Sequence, residues 1–268
     1  MNLTVALVGL LVGTFIGISG VGGSSLMTPL LILLLRIHPV IAVGTDLVYS
    51  VPTKILGTAV HGRHDTIDRR LVFGLIIGGL PGALLGLAVA AYARQHFPLE
   101  SLDTLVRRAV GIALIISAVV LVVGIFSRRN VKTGEEGAAA AGADVPAVIW
   151  NRATQIKVAA LGLFVGAAVS ITSIGSGAIT LPALYALLPR LTLRRLVGSD
   201  IAFATLLLPI AAIGNFFLGN VDLKLAGNLL IGSLPGVVLG SYLCGLLPEK
   251  VLRPAVAGIL VFAGTRLV

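Results

Sequence analysis

Charge is scarce in this chain. Only 12% of its 268 residues are Asp, Glu, Lys or Arg, about half the share found in soluble domains, while 57% are hydrophobic and the mean hydropathy is +1.05. So little polar surface cannot cover a water-soluble globule of this length, and the apolar excess must face lipid. Cysteine is almost missing. The single Cys244 lies inside an apolar run, which excludes a disulfide framework and a Cys-rich metal site and suits a small packing residue. Catalytic signatures are lacking too: there is no Walker phosphate loop, no GxSxG elbow and no HExxH, and the four His residues have no ligand spacing. The chain is therefore not expected to be an enzyme or an ATP-driven pump, and no cofactor or metal is expected. Acidic residues are outnumbered by Lys and Arg, 11 to 20, giving a net charge of +9. These basic residues sit in short clusters between apolar runs, as in the loops of membrane proteins. The expected partner is the lipid bilayer of a cell membrane, not nucleic acid.

Long apolar runs are what the sequence has instead. They fall near residues 3–35, 40–60, 71–92, 105–126, 156–189, 196–218, 225–247 and 251–268, about eight segments arranged four and four. Met1 to Val12 has no basic n-region and no obvious cleavage site and reads as part of the mature chain. Residues 1–126 and 158–268 read as two transmembrane repeats, joined by an Ala/Gly-rich stretch, 127–157, that reads as a flexible cytoplasmic linker. The halves are similar in detail. Gly9, Gly13, Gly22 and Pro29 meet Gly162, Gly166, Gly175 and Pro182 at a constant offset; one residue further on, Gly44-Thr45-Asp46 meets Gly198-Ser199-Asp200 and Asp68 meets Asp222. GGLPGALLG from Gly78 likewise meets GSLPGVVLG from Gly232. Internal duplication of this kind governs the fold.

The first run of each half is too long for one helix, since residues 3–35 would extend roughly 50 Å against a hydrocarbon core of about 30 Å. The breaks are visible as Gly17, Gly20, Gly22 and Gly23 followed by Ser24 and Ser25, and as Ser170, Thr172, Ser173, Gly175, Ser176 and Gly177. If each broken run turns back, thirteen Lys and Arg collect on one face and six on the other; if each crosses, the bias vanishes. The asymmetry favours re-entrant hairpins. The expected fold is therefore all-α and polytopic: two inverted repeats, each a glycine-broken re-entrant hairpin followed by three transmembrane helices. Secondary transporters bind substrate where such broken segments meet near the midplane.

A new helix should begin after each break, with its N-terminal amides pointing inward, and such a spot attracts an anion. Gly20, Gly22, Gly23, Ser24 and Ser25 of one half, with Ser173, Gly175, Ser176 and Gly177 of the other, are the expected substrate contacts; close helix packing is the competing explanation for the same small residues. A second constellation is the stripe Asp46, Ser50, Lys54, Gly57 and His61, which shares one helix face. Asp46 and Lys54 are about 12 Å apart along a helix and should not pair directly. Asp46 and Asp200 read either as helix N-caps or as sites that couple transport to protons. Lys54 aligns with Leu208 and has no counterpart, which suits an anionic substrate or neutralisation of Asp46 or Asp200; His61 reads as a solvated loop residue.

The glycine break GTFIGISGVGGSSLMTPLL, the following AVGTDLVYSVPTK, the acidic turn at Asp68 and GGLPGALLG, each echoed in the second half, resemble the sulfite exporter TauE/SafE family over almost the whole chain outside residues 127–157. The resemblance implies a multi-pass transporter of small anions, mostly sulfur oxyanions or organosulfonates such as sulfite and sulfoacetate, with export as the direction. It implies Gly20, Gly22, Gly23, Pro29, Gly175, Gly177 and Pro182 as signature positions. The expectation is an alternating-access secondary transporter of a small anion, with a passive anion channel or a membrane scaffold as alternatives.

Overall fold

The computed structural model describes residues 3–19, 24–63, 66–140, 150–188, 191–244 and 249–268. Among them the chain forms ten helices and no strand: α1 (Leu3–Ser19), α2 (Ser24–Leu33), α3 (Pro39–Arg63), α4 (Arg69–His96), α5 (Leu99–Ala140), α6 (Arg152–Thr172), α7 (Thr180–Leu187), α8 (Leu193–Phe217), α9 (Leu223–Cys244) and α10 (Glu249–Leu267). Five helical stretches, Pro39–Ala59, Arg69–His96, Arg152–Thr172, Arg195–Phe217 and Leu223–Gly240, are long and apolar enough to cross a membrane. The protein is a multi-pass helical membrane protein, and its polarity is arranged accordingly. Large apolar side chains such as Leu11, Phe73, Leu84, Leu85 and Phe217 stand exposed, while Thr28, Asp46, Lys54, Ser173 and Asp200 are buried, the distribution a lipid solvent requires.

Capping residues mark where helices start. Asp68 precedes α4 and its carboxylate accepts from the backbone N–H of Arg70 (2.9 Å) and Leu71 (3.2 Å). Asp222 does the same before α9, accepting from Lys224 (2.9 Å) and Leu225 (3.0 Å). Asn151 opens α6 by accepting from the N–H of Thr154 at 2.8 Å. Asp46 and Asp200, by contrast, stand well inside α3 and α8, so the N-cap reading of these two residues is corrected: helix begins a full turn or more before each of them. α5 continues to Ala140 and α6 begins at Arg152, so much of 127–157 is helical, in keeping with the helix propensity of its alanines.

Glycine sets the closest helix pairs. α1 lies along α9 with Gly9 at Leu229 and Gly13 at Ser233, while Gly232 and Gly236 face the carbonyls of Ala6 and Leu10. α6 lies along α4 in the same manner: Gly162 and Gly166 face the carbonyls of Leu75 and Gly79, and Gly78 and Gly82 those of Ala159 and Leu163. In both pairs residue numbers rise together, so the paired helices run parallel. At Gly78 and Gly232 any Cβ would overlap a carbonyl oxygen of the neighbouring helix; only glycine permits this backbone approach, which replaces hydrophobic driving force as the source of association in lipid.

α3 and α8 form the centre and run antiparallel, with Thr58 and Thr205 joined by their hydroxyls at 2.6 Å. Their outer ends carry matching contacts. The Asp222 N–H donates to Thr45 Oγ1 (3.1 Å) and the Asp68 N–H to Ser199 Oγ (2.8 Å). α5 and α10 pack together at the flank, where Arg107 donates to the Arg266 carbonyl at 3.0 Å. α1 and α3 both start at the end of the bundle where α9 starts, and α6 and α8 both start at the end where α4 starts.

Candidate functional site

The interruption of the second half lies at the centre of the bundle. α6 ends at Thr172, Ser173 adopts the left-handed conformation (φ 59°) and Gly177 has φ 89° before α7 resumes at Thr180. A serine in that region costs backbone energy that the surroundings must repay. The break is held from both sides: Thr172 Oγ1 donates to the Ala168 carbonyl (2.7 Å) and accepts from the Ile174 N–H (3.2 Å), and Thr180 Oγ1 donates to the Gly175 carbonyl (2.9 Å). In lipid, backbone freed from a helix is tolerated only where protein or a polar cavity satisfies it.

Two carboxylates flank this segment. Asp46 is fully buried, and its Oδ2 accepts from Thr28 Oγ1 (2.6 Å) and Ser173 Oγ (2.8 Å) while Oδ1 accepts from Ser50 Oγ at 3.3 Å. The donors come from α2, from the break of the other half and from α3 itself, so a single carboxylate ties three elements together. Asp200, 2% exposed, faces the Gly177 amide and the Thr180 hydroxyl, and its Oδ1 has no hydrogen-bond partner among the described residues; nor has the buried Ser176 hydroxyl. Residues 173–177 therefore run from one carboxylate to the other.

Lys54 supplies a cation near both. It is 8% exposed, and both Asp200 and Asp46 lie within electrostatic reach of its ammonium. Neither carboxylate lies within direct ion-pair distance of it among the described residues. Fully ionised, the three groups carry one net negative charge, a costly state in a low dielectric unless hydrogen bonds satisfy it.

The structure thus brings Asp46, Ser173, Gly177, Asp200 and Lys54 into one polar core, with Gly175 and Ser176 on the same segment. Ser24 and Ser25 begin α2, but their side chains, like Gly20, Gly22 and Gly23 and the His61 side chain, lie outside the described residues. Donors expected to face a substrate are, in this state, turned to the chain's own carboxylates: the Ser173 hydroxyl to Asp46 and the Gly177 amide to Asp200. Thr28 and Thr180 escaped the sequence reading. Each is a threonine beside a break, and hydroxyls near Gly-rich interruptions are a signal that could have found them. Arg94, Asn215 and Asn220 were also missed. They form a separate polar chain at the end of the bundle where α4 finishes, and their positions far apart in sequence gave no local pattern.

A model of the family described as Sulfite exporter TauE/SafE matches residues 5–267. A protein of Bacillus subtilis (strain 168) named "Probable membrane transporter protein YjnA" is 37% identical over 228 residues, 84% of this chain and 84% of its own length. A "Probable membrane transporter protein" of Xylella fastidiosa (strain 9a5c) is 32% identical over 98 residues, 36% of this chain and 38% of its own. No solved structure matches.

Proposed function

The chain belongs to the sulfite exporter TauE/SafE family, and on that footing we propose that this membrane transporter carries a small anion, a sulfur oxyanion or organosulfonate, by alternating access between two inverted halves. One observation carries the reading. Exchanging the halves exchanges the contacts: α1 with α9 becomes α6 with α4, and the α3–α8 and α5–α10 pairs map onto themselves with reversed roles. Shared starting ends for α1 and α3, and for α6 and α8, support reading the first run of each half as a re-entrant hairpin, the second entering from the opposite face. This is the arrangement in which two halves rock about a fixed midplane site. The end of the bundle bearing Arg69, Arg70 and Arg152 is the cytoplasmic face, since most Lys and Arg outside the spans lie there.

Proton and anion binding are linked through the donors. A carboxylate at Asp46 engages Thr28, Ser173 and Ser50. A proton on it removes one acceptor position and turns that oxygen into a donor, which frees a hydroxyl for an incoming oxyanion and cancels the net negative charge of the cluster. The same holds at Asp200, where a proton releases the Gly177 amide. Anion and proton then travel together, with Lys54 setting the local potential. A dianion accompanied by one proton moves one negative charge. An inside-negative potential drives that charge outward with about 2.3 kcal/mol per 100 mV, which gives export its force.

The test is flux of sulfite, sulfoacetate and sulfate in proteoliposomes under imposed pH gradients and potentials. Saturable flux with mutual competition among accepted anions supports the transporter. Flux that rises linearly with concentration and shows no competition would identify a passive channel instead.

A further inference from the structure

At the end of the bundle where α4 finishes and α9 begins, a pocket open on one side lies about one helical turn from the Asp46 end of the polar core, since Val43 and Ser170 line it. Its wall is largely apolar, with Val40, Val43, Val89 and Val106 among the lining residues, and its polar groups are Arg94, Ser170, Asn215 and Asn220. These come from α4, from α6, from α8 and from the turn before α9. Half-buried Arg94 donates to Asn220 Oδ1. Asn220 Nδ2 donates to Asn215 Oδ1 (3.0 Å), and Asn215 Nδ2 donates to the carbonyls of Ser170 (3.2 Å) and Ala211 (3.0 Å).

Every acceptor in this chain of bonds is neutral, so the guanidinium is positioned without being neutralised. Arg94 is the sole ionisable residue in the wall among the described residues. Of the acids beside the wall, Glu100 is exposed, Asp222 accepts from the N–H groups of Lys224 and Leu225, and Asp103, next to the wall residue Leu102, is taken by His38 Nδ1 (2.7 Å) and the Val40 N–H (3.3 Å). Ser170, 1% exposed, has a hydroxyl without a partner among the described residues. A buttressed arginine offers a planar fork suited to oxyanions, and an apolar wall rewards a hydrocarbon body. The position equivalent to Arg94 in the second half is Pro248, which carries no charge.

We propose that this cavity is a peripheral binding site, outside the central core, for a monoanion with an oxyanion head and a short alkyl body, such as an alkylsulfonate. The head engages Arg94 and Ser170, and the body lies against the valines. The inference rests on the anion-transport reading, for which the cavity serves as the vestibule of the face opposite Arg69.

Calorimetric titration of the purified full chain in neutral detergent with ethanesulfonate and butanesulfonate tests it. The wild type should bind butanesulfonate about fifteenfold more tightly than ethanesulfonate, because each of the two extra buried methylenes contributes roughly fourfold. Arg94→Gln should weaken butanesulfonate at least tenfold. Ser170→Ala, which removes an unpartnered hydroxyl and should not disturb folding, should weaken it about threefold and serves if Arg94→Gln does not fold. Wild-type affinity in the folded variants, absence of the chain-length effect, or no wild-type binding up to roughly 10 mM would each overturn the proposal. Displacement of butanesulfonate by phosphatidylglycerol would also overturn it and assign the site to a lipid headgroup. Arg94-dependent binding in a protein that shows no flux would overturn the transporter reading and leave the site standing.

Discussion

Replacing Asp46 by asparagine separates the carboxylate's structural role from its role in coupling. In the wild type, two hydroxyls converge on Oδ2 at 2.6 and 2.8 Å and a third reaches Oδ1 at 3.3 Å. An asparagine whose carbonyl oxygen takes the Oδ2 position keeps both short bonds, and its NH2 group faces Ser50, whose hydroxyl can rotate to accept. The loss is then the charge-assisted part of two hydrogen bonds, roughly 1 kcal/mol each, offset by relief from burying an ionised group. Asp46→Asn should therefore change stability by no more than about 2 kcal/mol, or a few degrees in Tm. Coupling should respond very differently. With one proton per anion, a gradient of one pH unit is worth about 1.4 kcal/mol and concentrates substrate up to tenfold in proteoliposomes; asparagine cannot exchange that proton, so gradient-driven accumulation should fall to a ratio near one while exchange of bound anion persists. Accumulation preserved in both Asp46→Asn and Asp200→Asn would refute the coupling mechanism outright.

Lys54→Leu, which gives the first half the residue of the second, removes the cation facing both carboxylates. It should cut flux at least tenfold and lower stability by about 3 kcal/mol, and adding Asp200→Asn should recover part of the melting temperature. Gly78→Ala and Gly232→Ala place a methyl inside a neighbouring helix backbone, whereas Gly227→Ala meets nothing within 4 Å. By size-exclusion chromatography and thermal melting the first two should lose the folded monodisperse species, and the third should be as stable as wild type or up to about 1 kcal/mol more so. For orientation, single cysteines replacing exposed Arg70 and Lys224 in a Cys244→Ala background should be labelled by an impermeant reagent from opposite faces, Arg70→Cys from the cytoplasmic side; labelling of both from one side would remove the inverted arrangement.

Much of this architecture was legible in the residues. Composition alone decided for lipid, because no folding pattern can hide so large an apolar excess from water. The helix interruption at 173–179 was legible because glycine and serine clusters act locally on backbone energy. The ends of α5 were less legible, since an Ala/Gly-rich stretch reads equally as coil or helix until its neighbours are known.

Tertiary structure decided the partners. Thr28 and Ser173 are 18 and 127 residues from Asp46, and no periodicity predicts that their hydroxyls close on one carboxylate. Sequence presented the inward amides and hydroxyls as open to an anion; folding turned them to the chain's own carboxylates, because a buried charge must collect whatever donors lie within reach. The same reason explains the missed Arg94 cavity. A pattern along one helix identifies which face is polar, but only the packing of α4, α6, α8 and α9 at one end of the bundle determines which polar groups meet there.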